Sequence, residues 1–147
     1  MSQADHPDFY TQKGYQMRRH GEMTGAMEDY LEMICRLARE TGYARMGDLA
    51  RQLNVRPPSA SKMVQQLKEQ GLVDFERYGV IRPTAAGWRE GRRLLRRHEV
   101  LHRFFRTVNG TEDELELVEQ VEHYIDERTV NNLERVLERL DGAAEQS

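Results

Sequence analysis

The side chains best suited to chemistry in this chain lie in the stretch Glu119-Gln-Val-Glu-His123. In a helix, Glu119, Glu122 and His123 stand at i, i+3 and i+4 and share one face. Two like charges at that spacing repel each other, and a divalent cation between them would reverse the effect. Carboxylate oxygens with one imidazole suit Mn²⁺ or Fe²⁺, because the set contains no soft ligand. The alternative is an acidic face that is simply exposed to solvent.

Three further side chains are candidate ligands at positions distant in sequence. Asp29 and Glu32 are one turn apart on the first expected helix, opposite its apolar face, where a solvated flank is the alternative. His98 falls on the apolar face of a long helix, so it is either a core histidine or an inward-pointing ligand. If all these groups converge, four carboxylates and two imidazoles are enough for two divalent cations with bridging carboxylates. We expect Cys35, near Glu32, to fill the core and not to bind metal.

Composition limits the class of protein. The chain has 147 residues, of which 38% are hydrophobic and 32% charged, which favours a helical protein with a modest core. No apolar run approaches the roughly 18 residues of a membrane span, and the first residues lack the apolar region of a secretory signal. The single cysteine fits a reducing compartment. We therefore expect a cytoplasmic protein with no membrane partner.

The charge is distributed unevenly along the chain. Residues 45–97 contain 12 Lys/Arg against 5 Asp/Glu, a net charge of +7, whereas residues 108–147 contain 3 against 12, a net charge of −9. A basic middle favours binding of a polyanion such as DNA, and an acidic end favours cation binding or solubility. The two parts are therefore expected to have separate tasks.

The elements of the first half predict a DNA-binding fold. Residues 1–23 lack periodicity and are expected to form a flexible arm. Thr24 is expected to cap a helix over 25–40, and shorter helices are expected over 46–53 and from Pro57 to about Gln70. Strands over 72–76 and 80–82 flank a turn. The order helix, turn, helix, hairpin is that of a winged helix-turn-helix.

The second half predicts three more helices. Thr84 is expected to cap a helix to about residue 106, in which Gly87 is a weak point. A capping box over 111–114 predicts a helix from there to about residue 127. The last helix, about 129–140, has an apolar face that must pack against its own domain or a second subunit. The expected fold is thus mainly α, with an arm over 1–23, a winged helix-turn-helix over 24–84 and a helical metal-binding and dimerisation domain over 85–147.

The second helix of a helix-turn-helix enters the DNA major groove by its N-terminal end. Polar side chains there lie away from the apolar face and can contact phosphates or base edges. The hairpin tip is expected to touch the DNA backbone or minor groove. The predicted DNA-binding residues are Arg56, Pro57, Ser59, Ser61, Lys62 and Gln65 on the helix, with Arg77 and Tyr78 at the tip.

These motifs together resemble the diphtheria-toxin-repressor family of metal-dependent regulators, and within it the manganese transport regulator branch. The resemblance spans about residues 24–140. It is carried by four stretches: Met27-Glu-Asp-Tyr-Leu-Glu32, the helix with Pro58-Ser-Ala-Ser-Lys-Met-Val64, Arg97-His-Glu99 and Glu119-x-x-Glu-His123. All six expected ligand positions match: Asp29, Glu32, His98, Glu119, Glu122 and His123. The iron-sensing branch has methionine and cysteine in place of Asp29 and Glu119.

The resemblance implies a homodimeric transcriptional regulator that binds double-stranded DNA at a pseudo-palindromic operator. It further implies two Mn²⁺ ions per subunit and repression of manganese uptake genes when the metal is plentiful. An iron- or zinc-responsive repressor on the same scaffold is the first alternative. A winged-helix repressor without metal, or one controlled by an organic ligand, is the second.

A di-metal hydrolase is an alternative from another class, because paired cations with bridging carboxylates also activate water. The sequence offers no separate nucleophile and no phosphate-binding loop. We therefore expect no enzyme and no organic small-molecule substrate.

Overall fold

The computed structural model describes residues 23–76 and 79–146. The expectation of a mainly α chain that contains a winged helix-turn-helix is confirmed. The predicted arm, except Met23, and the predicted hairpin-tip contacts Arg77 and Tyr78 lie outside the described residues. Met23 itself packs against the core of the first half. The elements in chain order are α1 Gly25–Leu37, β1 Ala44–Arg45, α2 Met46–Leu53, α3 Pro57–Glu69, β2 Val73–Glu76, β3 Val80–Pro83, α4 Ala85–Asn109, α5 Leu115–Val121, a 3₁₀ turn Glu122–Tyr124 and α6 Glu127–Gln146.

Local sequence signals explain the ends of the first helices. The Thr24 side chain accepts a hydrogen bond from the Met27 backbone N–H and so caps α1 as predicted. The helix stops at Leu37, three residues short of the predicted end, and the chain then turns through Gly42 at φ +86°. Asn54 takes a left-handed conformation that turns the chain from α2 into α3.

The wing is a small antiparallel sheet with strand order β1-β3-β2. The hairpin of β2 and β3 was predicted, but β1 was not, because two residues are too few to show an alternating pattern. Ala44 of β1 pairs with Ile81 of β3, and both side chains are buried. The wing is thereby joined to the core beneath α1.

Helix α4 contributes to both cores of the molecule. Leu94 belongs to the core of the winged domain, and Val100 packs with Val130 and Leu137 of α6. Gly87 is not a weak point but a packing requirement, because a β-carbon there would lie 1.9 Å from the carbonyl oxygen of Leu72. Only glycine fits at this position, because α4 passes so close to the backbone of Leu72.

The second half differs from the prediction in its helix ends. The capping box prediction was wrong: Thr111 donates its hydroxyl to the Glu114 side chain, and α5 begins only at Leu115. The helix then ends at Val121, not near residue 127, and a 3₁₀ turn follows. Asp126, whose side chain accepts from the Thr129 backbone N–H, starts α6 two residues earlier than predicted. Because α5 ends early, the 3₁₀ turn that follows it lies against α1 and α4.

Helix α6 runs along α4 and is fixed there by apolar packing and by ion pairs. The predicted face of α6 divides: Val130 and Leu137 are buried, whereas Val136 and Leu140 are 42% and 49% exposed. Arg96 pairs with Glu134 and Arg103 pairs with Asp141 across the helices. None of the described helices is both long enough and apolar enough to cross a membrane.

Candidate metal centre and nucleic-acid interface

One group of candidate ligands joins three separate elements. Glu32 lies on α1, His98 on α4 and Glu122 in the 3₁₀ turn, and each offers a ligand atom within 4.8 Å of the others. His98 Nδ1 lies 2.8 Å from Glu122 Oε2. Glu122 is only 2% exposed although it carries a carboxylate. Burial of this kind needs compensation by hydrogen bonds or by a positive charge.

A second group shares Glu122 with the first. Asp29, Glu122 and His123 also offer ligand atoms within 4.8 Å of one another. His123 Nε2 is 3.1 Å from Asp29 Oδ1, so the ring lies between α1 and the 3₁₀ turn. The structure therefore brings five of the six predicted ligands into two adjoining groups with one carboxylate in common.

Glu119, the sixth predicted ligand, is not part of either group. It is exposed on α5, whereas Glu122 and His123 follow the end of that helix. The prediction assumed one continuous α-helix, in which these three residues share a face. In the structure the Glu122 side chain is buried beside ligand atoms of α1 and α4, whereas Glu119 is exposed one turn earlier on α5. Its role as a ligand stays a prediction.

The electrostatics of the first group are those of carboxylates crowded in a poorly solvated place. Burial, and after it the neighbouring Glu122 carboxylate, raises the pKa of Glu32 to about 6. The hydrogen bond to Glu122 raises the pKa of His98, although burial opposes this. Without a cation, Glu32 and His98 therefore bind their protons more tightly than they do in water.

The second group behaves in the same way. Hydrogen bonds from the ring of His123 to Asp29 and Glu28 raise the pKa of His123 to about 9. The two carboxylates on either side of the ring thus favour its protonated form.

The donor set fits a hard divalent cation. Oxygen ligands with imidazole nitrogens suit Mn²⁺, Fe²⁺ or Zn²⁺, and no thiolate reaches either group among the described residues. Cys35 is buried at the crossing of α1 and α4, where a β-carbon on Gly91 would overlap its sulfur. Its position agrees with the predicted role as a core residue.

Two charged residues beside the site were missed from sequence. Glu28, 9% exposed, accepts a hydrogen bond of 3.0 Å from His123 Nδ1. Arg97, 4% exposed, donates to both oxygens of Glu28 at 3.3 and 3.4 Å. Both residues lie within the stretches that carry the family resemblance. Their positions in the sequence do not reveal that their charged side chains are buried.

The candidate DNA-reading end of α3 lies at the surface. Arg56 precedes the helix, and prolines occupy its first two positions. A backbone N–H there would have no partner within the helix, so its absence in proline costs nothing. Ser61 is half-buried, and the other predicted contact residues of this helix are exposed. Their side chains make no hydrogen bond to any other part of the chain that the structure describes.

Fold and site together define a class of protein: a winged-helix DNA-binding domain whose first helix shares a candidate metal site with a second, helical domain. Residues 22–81 match the family model "Iron dependent repressor, N-terminal DNA binding domain", and residues 84–143 match "Iron dependent repressor, metal binding and dimerisation domain". The chain belongs to this family of iron-dependent repressors, whose members regulate transcription and are not known as enzymes.

Curated relatives of similar length support the same membership. The "HTH-type transcriptional regulator MntR" of Bacillus subtilis is 39% identical over 114 residues, which cover 77% of this chain and 78% of the relative. The protein of that name from Shouchella clausii is 43% identical over 103 residues, which cover 69% of this chain and 72% of the relative.

Solved structures show the same fold in longer proteins. A "Manganese-dependent transcriptional repressor complex with manganese" is 29% identical with a TM-score of 0.66, over 76% of this chain and 52% of that one. IdeR of T. acidophilum is 28% identical with a TM-score of 0.64, over 82% of this chain and 55% of that one. The chain thus spans about half the length of these two proteins.

Proposed function

We propose that this chain is a manganese-responsive repressor that binds DNA as a homodimer when the metal is plentiful and silences manganese uptake genes. The proposal rests on family membership together with one observation. The buried carboxylate of Glu122 belongs to two ligand groups that join the DNA-binding half to the rest of the molecule.

The proposed ligands are Asp29, Glu32, His98, Glu119, Glu122 and His123, with two cations per subunit. Glu122 would take part in holding both cations, because it is the member that both groups share. Bound dications supply positive charge to carboxylates that otherwise repel each other. With that repulsion removed, the ligands on α1 and in the 3₁₀ turn would be held together, and the DNA-binding half would be fixed against the rest of the molecule.

Manganese is favoured over iron by the ligand types. Asp29 and Glu119 provide hard oxygen where the iron-sensing branch has sulfur, and the relatives named above as MntR support the same assignment. Mn²⁺ binds weakest in the usual divalent series, so selectivity has to come from geometry and availability.

The DNA and dimer parts of the proposal rest on exposed surface. Arg56, Lys62 and Gln65 are free to contact phosphates and bases at the N-terminal end of α3. Val136 and Leu140 leave apolar area on α6, as expected where two subunits pack. A dimer with twofold symmetry presents two reading helices to a pseudo-palindromic operator.

The test is DNA binding by the full chain, followed by fluorescence anisotropy. The probe is a labelled promoter fragment of a manganese-transporter gene from the same genome, and a scrambled duplex is the control. Titrations are run with Mn²⁺, Fe²⁺, Zn²⁺ or chelator. We expect tight binding with Mn²⁺ and at least a hundredfold weaker binding in chelator.

Glu122→Gln is the informative variant, and Glu138→Gln on the exposed face of α6 is its matched control. The first should bind the promoter weakly at every Mn²⁺ concentration, and the second should behave as the wild type. Equal affinity in chelator and in Mn²⁺ would contradict the metal switch. Activation by Fe²⁺ or Zn²⁺ but not Mn²⁺ would instead support the iron or zinc alternative.

A further inference from the structure

Glu28 and Arg97 form a buried ion pair directly behind one of the candidate ligands. Glu28 lies on α1 next to Asp29, and Arg97 lies on α4 next to His98. Two guanidinium nitrogens of Arg97 reach the two carboxylate oxygens of Glu28, and Arg93 lies 3.6 Å from the same carboxylate. A bidentate pair of this kind fixes the orientation of the carboxylate.

The orientation of Glu28 determines that of His123. One carboxylate oxygen accepts the Nδ1–H of His123 at 3.0 Å, and the opposite ring nitrogen, Nε2, faces Asp29 at 3.1 Å. Histidines that bind metals commonly donate their second ring N–H to a carboxylate, which fixes both the tautomer and the ring orientation. The arrangement around His123 has this form.

We propose that Glu28 and Arg97 are positioning residues for the metal site: Arg97 orients Glu28, and Glu28 holds His123 with Nε2 directed at the group that contains Asp29 and Glu122. The proposal rests on the proposed function, since it assigns a role towards a metal that His123 binds. Neither Glu28 nor Arg97 is itself a ligand in it.

The same contacts also link the two halves of the protein, so a purely structural role is the rival explanation. Breaking one member of a buried pair leaves an uncompensated charge and destabilises the fold, whereas replacing both members by apolar residues is often tolerated. This difference separates the two explanations. A structural pair can be replaced by apolar packing without loss of metal affinity, and a positioning pair cannot.

The experiment compares Glu28→Gln, the double variant Glu28→Leu/Arg97→Met, and Glu90→Gln. Glu90 is the matched control because it is a half-buried carboxylate that pairs with Arg93 on its own helix. Mn²⁺ binding is measured by calorimetry on the full chain and fitted to two sites, and thermal unfolding in chelator is measured alongside. Zn²⁺ serves as a diamagnetic probe for ¹⁵N spectra of the histidine rings.

We expect the double variant to unfold within a few degrees of the wild type and to lose about 10- to 100-fold in affinity at one site. The site of Glu32 and His98 should change by less than about threefold. Glu28→Gln keeps an acceptor for Nδ1–H, so its loss should be smaller but measurable, about three- to tenfold. The wild-type spectrum should show His123 bound through Nε2 with a protonated Nδ1, and the double variant should lose that single tautomer.

Unchanged Mn²⁺ affinity and an unchanged His123 tautomer in Glu28→Gln and in the double variant would overturn the positioning role. An equal loss of affinity in Glu90→Gln would overturn it as well. If the double variant does not fold, Glu28→Gln alone carries the test. Failure of the wild type to bind Mn²⁺ at all is a distinct result, because it contradicts the proposed function itself.

Discussion

The carboxylate of Glu32 should destabilise the metal-free protein, so Glu32→Gln is expected to raise stability in chelator. Burial and the neighbouring Glu122 raise the pKa of Glu32 from 4.5 to about 6. At about 1.4 kcal/mol per pH unit, ionised Glu32 costs the folded state about 2 kcal/mol. This figure already contains the attraction of the partly exposed Arg36, which lowers the pKa of Glu32. The expected net gain is about 1–2 kcal/mol.

The sign of the pH dependence follows from proton linkage. Folded Glu32 binds its proton more tightly than the unfolded chain does, so the cost is fully present above pH 6 and vanishes below pH 4.5. The advantage of Glu32→Gln over the wild type should therefore be full at pH 7.5 and shrink as the pH falls to 5. Glu40→Gln, an exposed carboxylate beyond the end of α1, should give no such advantage.

The assay is thermal unfolding at fixed protein concentration, because dimerisation would otherwise alter the midpoint. A gain of 1–2 kcal/mol corresponds to roughly 2–8 °C for a chain of this size. In Mn²⁺ the order should reverse, since the wild type gains stability by binding metal and the variant gains less. A variant that melts at or below the wild-type temperature in chelator at pH 7.5 would refute the claim that the site is strained without a cation.

Three further outcomes follow from other parts of the structure. Gly87→Ala should destabilise the chain by at least about 2 kcal/mol in thermal unfolding, because the new β-carbon would lie 1.9 Å from the Leu72 carbonyl oxygen. Gly47→Ala is the control: it has open space around it and should be neutral or stabilising. Lys62→Ala should weaken promoter binding and lower its salt dependence by about one ion, while leaving Mn²⁺ affinity by calorimetry unchanged. Mn²⁺ affinity should rise by at least about tenfold per pH unit between pH 7 and 9 and then level off, because a cation must displace the proton of His123, whose pKa is about 9; a flat profile would exclude His123 as a ligand.

The sequence predicts the winged domain well because its signals are local. The Thr24 cap, the prolines at the start of α3 and the alternating hairpin each act over a few residues, and the structure has all three. The strand β1 was missed because its pairing with β3 is formed only by the tertiary fold. The role of Gly87 was missed for the same reason, since Leu72 lies outside α4 and approaches Gly87 only in the folded protein.

The candidate site was predictable in composition but not in geometry. Ligand types and spacing indicated a cation site, yet a continuous helix was assumed where the chain makes a 3₁₀ turn after Val121. The signal that was available is Asp126, which starts the next helix and leaves too few residues for α5 to continue. The buried pair of Glu28 and Arg97 has no local signal, because polarity alone suggests exposed side chains.

The energetics of the site favour the use of both ligand groups in the proposed metal switch. Burial, and after it repulsion by Glu122, costs ionised Glu32 about 2 kcal/mol, and offsetting that cost would shift an equilibrium roughly thirtyfold. Moving a two-state protein from 1:99 to 99:1 requires about 5.5 kcal/mol. The remainder has to come from the group of Asp29 and His123, which holds the same α1 against the same 3₁₀ turn through the shared Glu122. Because both groups act on one pair of elements, their contributions add to a single conformational equilibrium, and loss of either should leave a repressor that responds only partially.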